Sequence, residues 1–558
     1  MNSETKTCQS CKTSFTIEPE DFAFYERIKV PAPTLCPQCR NIRRLAWRED
    51  RTLYKDTCDL CKKDIVSVYA PDSPCTVYCQ KCWYSDKWDA GIYARDYDFS
   101  RPFFEQFREL LEVVPRAATT GEGSVGCEYS HGTMFSKNCY LTFGGFRSED
   151  CMYSMGPVLS RNVIDSFGVF NGNQVYENAQ CDGVFQTKYC YFANECIDSA
   201  FLFDCTGCNE CFGCFNLRSK TRHIFNKPYS KEDYKREMQK WDLGSYRIMQ
   251  EAIKKFSELV LATPHRYAFI TNSQNVTGDS IQNSKNCQNC FHALDGVQNC
   301  KYVYYGGLNL KDSMDVTTSG DLSEIMYESM ANIRSSRTFF SARGTSTNNV
   351  QYCEGLKESS NCFGSAMLKN KKYCILNKQY SEEEYKTMLP KIIAHMGSDY
   401  GEFFPMKIAL YPYNETMAFS YYPLTEEEAL KRGYTWRESP KHEYIITLKS
   451  NDLPDHIRDV QDAITKEIIG CGHEGTCNHQ CITAFRFTQS ELDFYRKMNI
   501  ALPRLCHNCR HGERLKWRNG FTLYHRKCAR CPNEFETTYA PDRPEIIYCD
   551  RCYKDEFL

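Results

Sequence analysis

The strongest constraint on this chain is a cysteine-rich stretch that occurs twice, once near each end. Residues 35–83 and 505–553 align without a gap when one copy is shifted by 470 residues. The shift superimposes six cysteines of each copy, together with a Trp-Arg pair and a Tyr-Ala-Pro-Asp segment. The alignment continues upstream, where Cys11 falls on Cys481 and Pro33 falls on Pro503. A module of about ninety residues therefore stands at each end of the chain.

The paired spacing of the module cysteines indicates metal binding. The chain has 34 cysteines in 558 residues, a density typical of disulfide-rich secreted proteins or of metal-binding intracellular ones. Neighbouring Cys-x-x-Cys thiols make poor structural disulfides, whereas two such pairs complete a tetrahedral zinc site with zinc–sulfur distances of about 2.3 Å. The predicted ligands form four sets: Cys8, Cys11, Cys36 and Cys39; Cys58, Cys61, Cys79 and Cys82; Cys477, Cys481, Cys506 and Cys509; Cys528, Cys531, Cys549 and Cys552.

We therefore expect about four zinc ions, each in a closed four-thiolate site that stabilises the fold and catalyses no hydrolysis. The simplest ligand sets combine two cysteine pairs that are consecutive in the chain. A set that combines the first cysteine pair of a module with its third stays open. Thioredoxin-like redox chemistry is disfavoured because it uses one isolated pair; an iron–sulfur assignment is a further alternative. Cys471 and His473 could offer a spare ligand, although a solvated loop is the favoured interpretation.

Both modules carry basic residues around a tryptophan, between their two predicted metal sites. Guanidinium groups bind phosphates through paired hydrogen bonds, and an exposed indole can stack on an unpaired base. The alternative is that the arginine stems cover a small core and pair with acidic neighbours, while the tryptophan packs inside. The predicted nucleic-acid-binding residues are Arg40, Arg43, Arg44, Trp47, Arg48, Arg510, Arg514, Lys516, Trp517 and Arg518.

The centre of the chain contains a second duplication, between residues 124–225 and 280–377. Short units such as KNCYLTF, EDCMYSM and KYCYFAN recur every ten to twelve residues within each copy. This pattern predicts a parallel β-solenoid in which Asn and Cys form ladders and Phe and Tyr fill the core. An irregular antiparallel sandwich is the alternative.

The predicted fold is multidomain, mixed and β-rich, with terminal zinc-ribbon-like modules flanking a duplicated solenoid-like core. Helices are expected after Ser100, where Phe103, Phe104 and Phe107 have helical spacing, and after the capping residues Ser230 and Ser381. The predicted units are 1–95 (first two-zinc module), 96–123 (linking helix), 124–245 (first solenoid half), 246–279 (helical connector), 280–395 (second half), 396–470 (connector) and 471–558 (second module).

One central segment could bind a further metal or an iron–sulfur cluster. Cys205, Cys208, Cys211 and Cys214 are spaced three residues apart, as in part of a ferredoxin motif. The second copy retains only one of these cysteines, at Cys362, which favours buried thiols instead.

The remaining features predict a soluble cytoplasmic protein. The chain has 69 basic and 71 acidic residues, no apolar run long enough to span a membrane, and an N-terminal segment without the apolar core of a signal peptide. The segments LPDHIRDV, FRFTQSELDFYRKMNIALPRLCHNCR and YAPDRPEIIYC resemble cysteine-rich zinc-ribbon proteins of candidate phyla radiation bacteria. That resemblance implies a bacterial cytosolic setting and no particular activity.

These observations predict a non-enzymatic zinc-binding protein that binds nucleic acid, with RNA or the ribosome as the expected partner. A zinc-stabilised scaffold for protein assembly is the second hypothesis, and a metal or redox enzyme centred on Cys205–Cys214 is the third. No site for a small-molecule substrate is evident in the sequence.

Overall fold

A computed structural model describes residues 2–49, 51–438 and 444–558. The N-terminal module consists of two antiparallel hairpins and short helices that start at cysteines. Its elements are β1 (Glu4–Thr7), β2 (Ser14–Ile17), α1 (Pro19–Ile28), α2 (Pro37–Leu45), β3 (Tyr54–Thr57), β4 (Asp64–Ser67), β5 (Val77–Tyr78) and α3 (Gln80–Trp83). Each hairpin turn and each cysteine-initiated helix supplies one cysteine pair, so local structure brings the thiols into position.

The C-terminal module has the same order of elements. It comprises β28 (Ile469–Gly470), β29 (Ala484–Phe485), α10 (Gln489–Met498), α11 (His507–Leu515), β30 (Tyr524–Lys527), β31 (Glu534–Thr537), β32 (Ile547–Tyr548) and α12 (Asp550–Phe557). The hairpin β28–β29 corresponds to β1–β2, and α11 corresponds to α2, each beginning directly after a module cysteine.

A nine-stranded sheet, together with isolated bridges that begin at Val125, forms a first parallel ladder. Most neighbouring strands pair residues twelve positions apart, as between Cys190 and Leu202. The strands are β7 (Arg161–Ile164), β8 (Phe167–Phe170), β9 (Asn173–Tyr176), β10 (Ala179–Asp182), β11 (Phe185–Tyr191), β12 (Ala200–Phe203), β13 (Phe212–Phe215), β14 (His223–Ile224) and β15 (Lys227–Pro228).

An eleven-stranded sheet forms a second parallel ladder in which strands pair in chain order. Its register steps by eleven to thirteen residues, and only the final hairpin is antiparallel. The strands are β17 (Ile270–Thr271), β18 (Gln274–Gln282), β19 (Lys285–Leu294), β20 (Gln298–Gly307), β21 (Met314–Thr317), β22 (Glu324–Met330), β23 (Ser336–Phe339), β24 (Asn348–Gln351), β25 (Ser360–Phe363), β26 (Lys372–Ile375) and β27 (Lys378–Gln379). The β-rich, parallel part of the prediction is confirmed, and the antiparallel alternative is wrong for these sheets.

In both ladders the backbone changes direction at about every third residue, where φ is positive. Asn138, Leu141 and Gly144 have φ angles of 52°, 46° and 68°, and this triplet pattern of positive φ continues along both ladders. Asn and Asp tolerate this conformation better than most residues, which accounts for the frequent Asn at these positions. Some of these side chains bond along the stack, as when the amide of Asn275 donates to Asn286 at 3.1 Å.

Small side chains, and not aromatic ones, fill the interior of the first ladder, where its successive turns stack on one another. Cys139, Cys151 and Val163 follow one another at twelve-residue spacing and are fully buried or nearly so. Serines at equivalent depth connect the layers: Ser148 Oγ donates to the carbonyl of Pro157 at 3.0 Å and accepts from the Ser160 amide at 3.3 Å. The expectation that Phe and Tyr fill this interior is wrong; in the first ladder the buried aromatics instead pack outward against helices and the C-terminal module.

Helices and short 3₁₀ segments cover the ladders. The α-helices are α4 (Phe103–Val113), α5 (Lys231–Met238), α6 (Tyr246–Ala262), α7 (Glu382–Met396), α8 (Met417–Tyr421) and α9 (Glu426–Lys431). The 3₁₀ segments are Ala90–Tyr93, Gly397–Asp399, Met406–Ile408, Tyr413–Glu415, Ser450–Asp452, Ile457–Asp459 and Asp462–Lys466. The predicted caps are confirmed, because the Ser230 and Ser381 hydroxyls accept from the third helical amide at 3.1 and 3.2 Å.

Two short strands tie the modules to the rest of the chain. β6 (Arg116–Ala117) pairs with β5 of the N-terminal module, and β16 (His265–Arg266) pairs with β32 of the C-terminal module. The principal packing is crosswise: α2 of the N-terminal module contacts β21 and β22 of the second ladder, whereas α11 of the C-terminal module contacts the first ladder.

Replacement of Gly278 by alanine tests the close approach of neighbouring strands in the second ladder. A Cβ atom at Gly278, where φ is 132°, would lie 1.7 Å from the carbonyl oxygen of Cys290. We expect G278A to lower the free energy of unfolding by about 3 kcal/mol or more, because backbone must move. The control G520A, where nothing lies within 4 Å, should change it by less than about 0.5 kcal/mol. Equal thermal midpoints by circular dichroism would contradict the register of β18 and β19.

Candidate metal centres and buried arginine pairs

The first cysteine set of the N-terminal module has the geometry of a tetrathiolate site. The sulfurs of Cys8, Cys11, Cys36 and Cys39 lie within 4.8 Å of one another, and Cys11 Sγ is 3.6 Å from Cys36 Sγ. A tetrahedron with zinc–sulfur bonds of about 2.3 Å places its sulfurs about 3.8 Å apart. The amide of Cys36 donates to Cys8 Sγ at 3.3 Å, and a hydrogen bond from the Cys39 thiol lowers the pKa of Cys36 to about 5. Cys36 is therefore the thiolate of this set, whereas its hydrogen bond with Cys39 raises the pKa of Cys39 above the usual range.

The second set is the same in both modules. Cys61 Sγ lies 3.8 Å from Cys79 Sγ, and the equivalent distance from Cys531 to Cys549 is 3.7 Å. Cys58 and Cys82 complete one group, and Cys528 and Cys552 complete the other. Burial opposes ionisation of Cys528, but amide donors, that of Cys549 first, lower its pKa to about 6. The structure thus joins consecutive pairs, as in the simplest predicted pairing, and not the first pair with the third.

The remaining set differs from the prediction by one ligand. Cys471, and not Cys477, joins Cys481, Cys506 and Cys509. Cys471 Sγ lies 3.8 Å from Cys509 Sγ, and it accepts from the Cys506 amide at 3.3 Å, as Cys8 does from Cys36. Cys471 follows β28 directly, as Cys8 follows β1. The ungapped shift missed this residue because nine residues separate Cys471 from Cys481, where two separate Cys8 from Cys11.

Five Cys/His groups in the described residues could hold metal ions, which is compatible with about four zinc ions. The fifth group contains Cys477 together with His473, His479 and Cys509. The favoured interpretation of a solvated loop is wrong for Cys471, which is buried, whereas His473 has exposed neighbours on both sides.

The segment from Cys205 to Cys214 forms none of the five described metal-donor groups. All four thiols are fully buried, and each donates to the carbonyl two residues earlier, with sulfur–oxygen distances of 3.3 to 3.6 Å. The buried-thiol interpretation of this segment agrees with these contacts.

The arginines of α2 do not face solvent. Arg40 and Arg44 are 1% and 0% exposed, and they lie against Asp315 and Glu328 of the second ladder. Arg40 Nη2 is 2.8 Å from Asp315 Oδ2, and Arg44 Nη1 is 2.7 Å from Glu328 Oε2. Burial alone would lower the pKa of Arg40, but the Asp315 carboxylate raises it above its usual range. Arg43, also buried, pairs with Glu402 at 2.6 Å.

The C-terminal module repeats this arrangement on the first ladder. Arg510 and Arg514, at the positions equivalent to Arg40 and Arg44, are 5% and 2% exposed. Arg510 Nε lies 3.0 Å from Asp165 Oδ2, and Arg514 Nη1 lies 2.8 Å from Glu177 Oε1. Burial raises the pKa of Glu177 to about 7, although Arg514 opposes the shift. The modules are thus attached to opposite ladders by equivalent ion-pair clusters.

The tryptophans and the other predicted contact residues also lie against the protein. Trp47 is 1% exposed and packs on Phe404, whereas Trp517 stacks on Tyr191 with ring centroids 4.3 Å apart. The guanidinium of Arg518 lies 3.6 Å from the ring centre of Tyr421, and Arg48 is half-buried. Only Lys516 is largely exposed in this set, with 62% of its side chain accessible and an ion pair to Glu513.

The nucleic-acid interpretation of these residues therefore needs correction. Bidentate phosphate contact requires an accessible guanidinium, and the arginines Arg40, Arg43, Arg44, Arg510 and Arg514 are engaged by buried carboxylates. The alternative of internal ion pairs describes them correctly, except that the partners are distant in the chain. One sequence signal was the spacing of these carboxylates. Asp315 and Glu328 are thirteen residues apart and lie on adjacent strands. Asp165 and Glu177 are twelve residues apart and directly follow the paired strands β7 and β9.

A cavity of about 640 Å³ lies between α6, the first ladder and the C-terminal module. Its walls include Tyr189, Phe201, Met249, Arg514 and Trp517. The volume is in the range of small-molecule sites, a feature that the sequence did not indicate.

Comparisons with known proteins leave the family open. No protein-family model and no curated protein matches this chain. Among solved structures, an acetyltransferase candidate from Desulfovibrio desulfuricans G20 aligns over 44% of this chain and 65% of its own length, less than two thirds, at 11% identity and a TM-score of 0.10. A score this low carries no argument about fold or activity. The resemblance to zinc-ribbon proteins of candidate phyla radiation bacteria stays a prediction. Within the described residues, no helix has the length and apolar character needed to cross a membrane.

Replacement of Arg44 tests the buried clusters. We expect R44M to destabilise the protein by about 3–5 kcal/mol, because Asp315 and Glu328 would lose their central cation inside the protein. The control R334M removes an ion pair with Asp321 on the same ladder, where the arginine side chain is 63% exposed, and should cost at most about 1 kcal/mol. Urea-unfolding midpoints at matched zinc content compare the two; equal shifts would show that the α2 cluster is not a structural contact.

Proposed function

We propose that this chain is a non-enzymatic, zinc-dependent scaffold protein in which the two ladders form one β-solenoid held by the terminal modules. The observation that supports it most is the duplicated use of module arginines inside the protein: Arg40 and Arg44 on one ladder, Arg510 and Arg514 on the other. Groups that would bind an external polyanion instead fasten the modules to the core. The thiolate sets have four protein ligands each and leave zinc no open position for catalysis.

The partner class that we propose is a protein. Phe185 and Ile197 lie side by side on the outward face of the first ladder, where they are 37% and 41% exposed. Leu159, on the same ladder, is 52% exposed. Exposed apolar side chains of this kind suit a protein contact better than a phosphate backbone, and RNA or ribosome binding is the competing outcome of the test below.

Zinc removal provides the first test of zinc dependence. Cys36 and Cys39 fix the start of α2, and the same helix carries Arg40 and Arg44 into the protein. We expect a strong chelator to make the bonds after Arg40 and Arg44 susceptible to trypsin, because the helix loses its anchor. The bond after Lys240, which is exposed in the turn after α5 and lies outside both modules, should be cleaved equally with and without chelator. Protection of Arg40 and Arg44 after complete zinc loss, verified by metal analysis, would contradict the proposal.

Sedimentation of a native lysate on a low-salt gradient separates the partner classes. If the scaffold proposal is correct, the protein migrates in a complex that survives ribonuclease and high salt. The double variant F185E/I197E should return it to the position of the free chain, whereas T221E, exposed at an equivalent register two strands further along, should not. A complex that ribonuclease dissolves would support the nucleic-acid hypothesis and overturn this one.

A further inference from the structure

The C-terminal module contains a segment that the N-terminal module lacks. Nine residues lie between Cys471 and Cys481, where two lie between Cys8 and Cys11. The strands on either side correspond, because β28–β29 and β1–β2 are both antiparallel hairpins. The Gly472 amide donates to the Arg504 carbonyl as the Gln9 amide does to Thr34. The seven additional residues are therefore an insertion into an otherwise preserved zinc knuckle.

The insertion brings three metal-donor side chains to the edge of the tetrathiolate set. The donor atoms of His473, Cys477 and His479 all lie within 4.8 Å of one another and of Cys509 Sγ. Cys477 Sγ is 3.5 Å from Cys509 Sγ, which in turn is 3.8 Å from Cys471 Sγ. Cys509 therefore belongs to two donor groups at once, as a thiolate that bridges two metal ions does.

The two histidines of the insertion have ring nitrogens that are free to bind a metal ion. Nδ1 of His473 and Nδ1 of His479 are both buried and have no hydrogen-bond partner among the described residues. The nearest carboxylate oxygen to His479 Nδ1, from Glu513, is 3.9 Å away and beyond hydrogen-bonding distance. Buried polar nitrogens without a partner are rare, because each loses its hydration without compensation. A metal ion would satisfy both.

The helix beside the insertion is also adapted to it. A Cβ atom at Gly512 would lie 2.4 Å from Cγ of His479, so only glycine allows this ring position. Gly512 lies inside α11, where glycine costs about 1 kcal/mol relative to alanine. The equivalent residue of the N-terminal module is Ile42, which is buried. The insertion and the glycine thus occur together in one module and are both absent from the other.

We propose that the C-terminal module holds a dinuclear centre in which the Cys509 thiolate bridges two divalent ions. Cys471, Cys481 and Cys506 complete the tetrathiolate zinc site, and His473, Cys477 and His479 hold a second ion of the same borderline-soft class, Zn²⁺ or Co²⁺. Binding of the second ion releases the proton of the Cys477 thiol and involves no redox change. Because a bridging thiolate shares its electron density, the second ion is held more weakly than the others.

Native mass spectrometry and elemental analysis of the full chain, purified with zinc, test this proposal. We expect five ions in the parent chain, one for each donor group. C477S and G512I should each retain four, with the fold and the other sites intact. The control H525A, which alters a histidine of the same module that is 86% exposed, should retain five. A limiting amount of chelator should remove one ion first from the parent chain and none at that concentration from C477S.

Three results would overturn the inference. Four ions in the parent chain would show that the two groups compete for Cys509 and are not filled together. Loss of a tetrathiolate site in C477S, with no metal loss in C471S, would restore Cys477 as a ligand of the first zinc. A fifth ion that persists in both C477S and G512I would be an adventitious ion only.

Discussion

The organisation of this protein depends on a distance match between an α-helix and a parallel β-ladder. Residues four apart on a helix are about 6 Å apart, and neighbouring strands of a sheet are about 4.8 Å apart. Arg40 and Arg44 on α2 can therefore each reach a carboxylate on successive strands, Asp315 and Glu328. The same match operates between α11 and the first ladder. Because the charges are buried, the position of each helix has to be fixed accurately, and the cysteines at its start fix it.

In the proposed zinc-bound state, metal binding and docking of the modules on the ladders are coupled. Cys36 caps α2, Cys39 lies within its first turn, and the arginines follow on the same rigid segment. The thiolates of a zinc site set the direction of the helix, and the helix sets the direction of the guanidinium groups. In the proposed zinc-bound state, each module therefore orients its helix, and the free energy of metal binding supports ion pairs some distance from the ion. This explains why basic residues that adjoin the thiolate sets pair with carboxylates inside the protein.

The crosswise packing has a consequence for folding. The N-terminal module contacts the second ladder, more than 270 residues later in the chain, and the C-terminal module contacts the first ladder, some 340 residues earlier. The ladders themselves consist of local steps of about twelve residues. Local pairing can therefore precede the two long-range closures, which require the greatest loss of chain entropy. The first ladder cannot acquire the partners of Asp165 and Glu177 until the last module is present.

Local features of this fold could be predicted from sequence, whereas its long-range contacts could not. Cysteine pairs, the apolar face of α4 and the caps at Ser230 and Ser381 depend on neighbours within a few residues. The role of Cys471 could not be predicted because of the insertion. An ungapped alignment of the two modules assumes constant spacing between ligands, whereas a ligand is defined by its position in space. The carboxylate partners of the arginines could not be predicted from the sequence for a different reason. A run of Arg around Trp has the same composition on an exposed face as in a buried cluster, and only the ladder carboxylates distinguish the two.

The cysteine content has two separate physical origins. In the modules, most thiols occur in close pairs, which bring four sulfurs within 4.8 Å of one another. In the ladders, single thiols recur at multiples of three residues, because a turn at every third residue leaves a narrow interior that holds non-aromatic side chains, as at Cys190, Leu202 and Cys214. Cysteine, serine, threonine and valine meet that requirement, and the first three also donate to the carbonyls of the layer. The Cys205–Cys214 segment follows the second rule, with successive cysteines three apart along the ladder. The three-residue spacing of this segment therefore matches the period of the backbone.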